Sequence, residues 1–224
     1  MIEHLIQNAS SFGRDVDFLF SLITYTVGFW FLVAQGVIFY SLFRFRRRQG
    51  VRASYITGNE KRQKRWISVP HFLVILCDVV LIVGTMKVWA TVKIDIPEPD
   101  KEIRIIAQQW AWIFVQPGPD GKLDTDDDIK TVDHLHVEVD KTYRFQLQSR
   151  DVLHSFSVPS FRLKQDAIPG RTITGWFRPT AVGTFDIQCA EMCGIGHGVM
   201  AARIHIESAA EHEKWMKNPT PDEG

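Results

Sequence analysis

Two kinds of hydrophobic pattern divide the chain. Residues 18–43 carry no charged side chain. As a helix, this run of about 26 residues measures roughly 39 Å, enough to cross a hydrocarbon core of about 30 Å. A second apolar run covers about residues 66–86. Asp78 is its single charge, and Pro70 is tolerable in its first turns. A buried hairpin of a soluble protein is the competing reading, but the first run is too long and too evenly apolar for an amphipathic face. The pattern predicts a transmembrane hairpin over residues 18–92. Beyond Ile94 the period changes. Short alternating segments at 103–107, 135–139, 143–148, 155–158, 172–177, 184–189 and 201–206 are separated by turn residues such as Pro169-Gly170 and Val182-Gly183. Many short strands with such punctuation predict an antiparallel sandwich or barrel over 93–207, closed by a helix at 208–217 ahead of the tail to 224.

Charge sharpens this picture. The net charge is zero over 224 residues, but residues 44–65 hold nine basic side chains against the single acid Glu60, whereas residues 93–224 are net acidic. A basic loop between two spans stays on the cytoplasmic side. Residues 1–17 and the β domain are then expected on the other face, in the periplasm of a bacterial inner membrane. Residues 1–17 contain Glu3, Asp15 and Asp17 and no basic n-region, so no cleavable signal peptide is expected.

The candidate chemistry lies in Cys189-Ala-Glu191-Met-Cys193-Gly-Ile-Gly-His197-Gly-Val-Met200. Two thiols, an imidazole and a thioether fall within twelve residues, and His154 adds a second imidazole upstream. Soft sulfur with imidazole suits copper electron-transfer sites, and two cysteines can bridge two metal ions. A disulfide or half of a zinc site are the plainer readings. Neither needs His197 and Met200 at these offsets. No C-x-x-C-H motif is present, so covalent haem is not expected on this chain.

This segment resembles the binuclear copper (CuA) loop of cytochrome c oxidase subunit II. Three other stretches resemble the same family. Asp151-Val-Leu-His154-Ser-Phe-Ser-Val-Pro159 is similar to its first-ligand strand, Lys164-Gln-Asp166-Ala-Ile-Pro169-Gly170-Arg171 to the segment facing subunit I, and Gln109-Trp110-Ala111-Trp112 to its aromatic box. The resemblance implies a cupredoxin-like Greek-key barrel behind a two-helix anchor. It implies copper ligation by His154, Cys189, Cys193, His197 and Met200, with Glu191 giving its carbonyl oxygen to copper and its carboxylate to a magnesium ion shared with subunit I. Trp110 matches the residue at which electrons arrive from a cytochrome c-type donor. The oxygen-reducing haem then belongs to subunit I, and the membrane lipid to the hairpin. A same-face packing pair is the plainer reading of Trp110 and Trp112.

The chain departs from the family pattern at Ser157, Ala111 and Gln63, the last standing where many oxidases have a Glu at a proton-channel mouth. That departure leaves the CuA subunit of a nitric oxide reductase as an alternative. A membrane-tethered copper chaperone is a further one. Other residues invite weaker readings. Asp124, Asp126, Asp127 and Asp128 form an acidic loop suited to docking a basic carrier or, less well, to calcium. Asp166 is expected near subunit I, or simply in the turn before Pro169. Asp78, with His71 on the same helical face, should meet another subunit. Cys77 reads as inert. His134 and His136 alternate on one strand face and read as surface residues lacking a third metal ligand. His4, His205 and His212 carry no pattern.

Overall fold

The structure is a computed structural model that describes residues 5–219. It divides into two units, one of residues 18–89 and one of residues up to 17 together with those from 90 onward.

The first of these units is a helical hairpin. Helix α1 (Gly13–Arg44) contributes most of its length, and α2 (Lys61–Trp89) returns beside it. Trp30 Nε1 donates to Cys77 Sγ at 3.2 Å. Gly84 on α2 lies against Leu19 and Leu22. These pairings run in opposite directions along the two helices, so they are antiparallel. Both are long and apolar enough to cross a membrane, and none of their most apolar stretch is buried within the chain. Helices satisfy their backbone groups internally, which is what a lipid environment requires. Helix α2 begins earlier than the apolar run, at Lys61, because Lys and Arg are good helix formers where the helix leaves lipid. Gln63 Oε1 accepts the Gly58 N–H at 2.8 Å ahead of that helix. A π-helical turn (Ala90–Ile94) follows α2 in sequence and belongs to the second unit.

The second unit is a sandwich of two five-stranded sheets. One holds β3 (Ile129–Val132), β2 (Ala111–Gln116), β1 (Lys101–Gln108), β5 (Tyr143–Ser149) and β8 (Ile173–Phe177) in that order. The other holds β4 (His134–Glu138), β10 (Ala201–Glu207), β9 (Gly183–Cys189), β6 (His154–Val158) and β7 (Leu163–Ala167). Period-two alternation places Ile103, Ile105, Phe145, Leu147, Phe156 and Trp112 in the space between, all fully buried. Gly175 is required there, since a Cβ would lie 2.2 Å from the Phe145 ring.

The expectation of an antiparallel sandwich needs correction. β1 pairs with β5 and β4 with β10 in parallel. The chain crosses between sheets at β3–β4, β4–β5, β5–β6, β7–β8 and β8–β9, and strands returning by such crossovers can meet earlier strands in the same direction. Alternation tells which face is buried but not which strand lies alongside. The sequence reading also missed β2, β3 and β7. β2 reads as a nearly continuous apolar run, β3 is only four residues long, and β7 carries three consecutive polar residues. Helix α3 (Ala209–Lys217) forms as expected, with Ser208 and Glu211 making a reciprocal capping box.

The segment before α1 is strapped to this sandwich. Ala9 donates to Ser160 O and accepts from Thr180 N, and Phe12 packs edge-on against Trp176 with ring centres 5.2 Å apart. Asp17 forms a buried, bidentate ion pair with Arg162 at 2.7 and 3.0 Å.

Candidate metal centre

Strand pairing assembles the site. β6 runs antiparallel to β9, which puts Phe156 opposite Cys189, and Ala190 N donates to Ser155 O at 2.9 Å. His154, the first residue of β6, is thereby drawn beside Cys189, the last of β9. The loop from Ala190 to Met200 is closed at its base by Cys189 N donating to Met200 O at 3.2 Å. Gly194 turns the loop with φ of 124°, a conformation closed to residues with a side chain.

All the predicted ligands converge. The sulfurs of Cys189 and Cys193 are 3.7 Å apart. His154 Nδ1 lies 3.9 Å from Cys189 Sγ, and His197 Nδ1 lies 3.7 Å from Cys193 Sγ. Met200 Sδ is 3.8 Å from Cys193 Sγ, and the Glu191 carbonyl oxygen is 3.3 Å from Cys189 Sγ. His154, Cys189, Cys193 and Met200 are buried, while His197 is half-buried at the rim. A disulfide needs an S–S distance of about 2.05 Å, so these cysteines are free thiols. Burial, reinforced by neighbouring Cys189, pushes the Cys193 thiol up to about 11. A bound cation therefore has to displace protons from this site. Ligand atoms of His154, Cys189 and Cys193 lie within 4.8 Å of one another, close enough to share an ion.

Two residues that were given no role by the sequence support the ligands from behind. Asp151 Oδ1 takes the His154 Nε2–H at 2.8 Å, which fixes the tautomer and leaves Nδ1 facing sulfur. Burial alone would raise the Asp151 carboxyl, but hydrogen bonds from His154, Gln109 N and Val152 N hold it below the usual carboxylate range. Gln109 Nε2 donates to Cys193 O at 2.8 Å, and Trp110 Nε1 donates to the same oxygen at 3.3 Å. The three-residue spacing of Asp151 from His154 was visible in the sequence. The reach of Gln109 was not, because it bridges residues 84 apart.

Trp110 and Trp112 do not form a same-face pair. Gln109-Trp110 is the two-residue turn between β1 and β2, whose register places Gln108 opposite Ala111. Trp110 therefore leaves the pleat. It stays partly exposed and lies over Gly196, where a Cβ would come within 2.4 Å of its ring. Trp112 is fully buried and packs edge-on to His154 and Phe156.

The other candidates lie elsewhere. The acidic loop joins β2 to β3 and is internally braced. Asp124 pairs with Arg104 through two bonds at 2.8 and 2.9 Å, and this pairing holds its carboxyl below the usual range. Asp127 and Asp128 accept backbone N–H groups of Asp120 and Asp124, and Asp126 is exposed. Asp166 is a strand residue of β7 that accepts from Ser155 Oγ at 2.7 Å, so the turn reading is wrong. The surface reading of His136 is also wrong. It is buried against Trp215, ring centres 4.3 Å apart, and reaches Glu207 at 2.6 Å. The parallel β4–β10 pairing brings His205 beside His134 at 3.0 Å, a juxtaposition that no local spacing encodes. Asp78 and His71 are exposed on α2. His4 lies outside the described residues.

The family model for the periplasmic domain of cytochrome c oxidase subunit II matches residues 102–208. An alternative cytochrome c oxidase subunit 2 from Bradyrhizobium diazoefficiens is 31% identical over 90% of this chain and 79% of its own length. The chain belongs to the cytochrome c oxidase subunit II family. A cytochrome c oxidase subunit 2 from Thermostichus vulcanus is 28% identical over 95% of this chain and 77% of its own length. The crystal structure of the periplasmic domain of subunit II of cytochrome oxidase from Bradyrhizobium japonicum is 32% identical, covers 55% of this chain and 94% of that domain, and has a TM-score of 0.48. Membership as subunit II makes this chain a membrane-anchored part of a cytochrome c oxidase, associated with the complex's other subunits. The relatives are named as oxidase subunits, which favours neither the nitric oxide reductase nor the chaperone alternative.

Proposed function

We propose that this subunit II accepts electrons from a cytochrome c-type donor at a binuclear copper centre and passes them to haem in subunit I for oxygen reduction. One observation carries the reading. Two free thiols stand 3.7 Å apart, and each has an imidazole Nδ1 beside it on its own side. Two thiols this close, each flanked by its own imidazole, would as thiolates provide for two soft cations. His154, Cys189, Cys193 and His197 would hold them, with Met200 and the Glu191 carbonyl as weaker donors. The copper pair, when bound, supplies one-electron transfer between the donor and subunit I.

The surrounding residues have their own tasks. Asp151 orients His154, and Trp112 keeps one side of the site dry. Trp110 offers an exposed aromatic surface in hydrogen-bond contact with the Cys193 backbone, which suits it to meet the carrier. The Glu191 carbonyl is turned to the Cys189 sulfur, which leaves the carboxylate a separate task, binding a magnesium ion shared with subunit I. Asp124, Asp126, Asp127 and Asp128 give the carrier a negative surface to find, although Asp124 is already neutralised by Arg104. The basic 44–65 loop supports a reading in which this domain faces the periplasmic side of a bacterial inner membrane.

The test is metal content and spectrum. The full chain, loaded with copper in detergent, should hold two coppers that share one unpaired electron and give a seven-line hyperfine pattern. Cys193→Ser should abolish that pattern. One copper per chain with a four-line pattern would overturn the binuclear reading.

A further inference from the structure

We propose that Gln109 is a positioning residue of the metal centre, its side-chain amide gripping the Cys193 carbonyl and tying the ligand loop to the strand that carries His154. The proposal rests on the binuclear copper reading.

The ligand set comes from two distant parts of the chain, His154 on β6 and Cys189 to Met200 beyond β9. Regular pairing joins them at Phe156–Cys189 and Ser157–Gln188, then stops. Cys193 lies past that limit, in a loop with no strand partner. The later half of the loop is held by its own turns, with His197 N donating to Gly194 O and Met200 N to Gly196 O. The Cys193 peptide is held instead from outside the loop, by Gln109 and Trp110. The amide bond at 2.8 Å is the shorter of the two. It also explains a sequence choice. A Cβ on Gly194 would come within 2.9 Å of Gln109 Nε2, so the glycine that permits the turn also admits the amide.

The other end of Gln109 completes the connection. Its backbone N–H donates to Asp151 Oδ2 at 2.6 Å, while Asp151 Oδ1 takes the His154 imidazole N–H at 2.8 Å. Three short hydrogen bonds thus run from Cys193 through Gln109 and Asp151 to His154, linking one bridging sulfur's backbone to the imidazole on the opposite side of the site. Gln109 touches no ligand atom. It acts by fixing the Cys193 backbone, from which the sulfur projects. Since Gln109 is an exposed residue, its amide is not a core contact, and its loss should leave the fold standing.

The test uses the copper-loaded full chain in detergent with Gln109→Leu, Gln109→Glu, Asp151→Asn and the Gln109→Leu/Asp151→Asn double variant. Wild type reports on the binuclear reading itself, through two coppers and seven lines. If wild type fails that check, the copper reading falls. If wild type passes, the variants judge the clamp. Gln109→Leu should keep two coppers and an unchanged thermal unfolding midpoint, yet show altered hyperfine splitting, a shifted reduction potential and copper loss to a chelator about tenfold faster. Gln109→Glu, of the same size but lacking the donor, should behave likewise. In the metal-free chain, amide exchange at residues 194–196 should quicken in both. The double variant should lose copper no faster than the worse single variant, because both act through one connection. Wild-type spectrum, potential and copper retention in both Gln109 variants would overturn the proposal, as would fully additive effects in the double variant.

Discussion

The imidazole of His154 is held from both sides: Nε2 meets Asp151 Oδ1 at 2.8 Å, and Nδ1 faces Cys189 Sγ at 3.9 Å. Carboxylate, imidazole and metal in line is the arrangement by which an outer partner sets ligand tautomer and basicity. Asp151→Asn keeps the shape but removes the charge. It should weaken copper retention by about 10–100-fold, measured by competition with a chelator of known affinity. Unchanged retention would reduce Asp151 to a bystander.

Glu191 has two separable tasks. Its main-chain carbonyl faces Cys189, so Glu191→Gln should leave two coppers and a near-normal copper spectrum. Loss of the negative charge should weaken the hard cation proposed at the subunit I interface. Manganese substituted for magnesium in the purified complex should give a changed spectrum in the variant. If Glu191→Gln loses copper as completely as Cys193→Ser, the carboxylate itself serves copper and the division is wrong.

Glu207 binds helix α3 to the sheet. Its carboxylate accepts from His136 at 2.6 Å and from His212 at 3.0 Å. Burial would raise its pKa, but the two imidazole hydrogen bonds prevail and hold it at about 2. A carboxyl depressed on folding contributes stability above its unfolded pKa of about 4.5 and loses it as pH falls through the folded value. Acidification from about pH 4.5 to 2 should therefore progressively release α3, followed through proton exchange of the Trp215 indole. In Glu207→Gln this acid-dependent step should be missing; its persistence would assign the effect to another group.

Asp17 and Arg162 form a buried ion pair between the start of α1 and the end of the 3₁₀ turn (Pro159–Phe161) after β6, with both side chains only 6% exposed. Removing one partner leaves the other charge buried. Asp17→Ala should cost about 3–5 kcal/mol, seen as a lowered midpoint in denaturant unfolding of the full chain. A change below about 1 kcal/mol would mean that water replaces the lost partner.

The sequence by itself determined those features that depend on local pattern. The apolar run 18–43 forms a helix because only internal backbone pairing suits lipid, and seven of the ten strands among the described residues follow from period-two alternation. The metal loop was legible because Cys189, Cys193, His197 and Met200 fall within twelve residues, a spacing chemistry can read without a fold. What only the tertiary structure decided involves partners far apart in the chain. Parallel pairing of β1 with β5, the burial of His136 under Trp215 and its hydrogen bond to Glu207 arise from crossovers that bring separated segments together. The same holds for Gln109 at Cys193 and for the separation of Trp110 from Trp112, which a two-residue turn imposes. A residue's type and its near neighbours fix what it can do. Which groups it meets depends on strand order and register, and these are set by the packing of the whole domain.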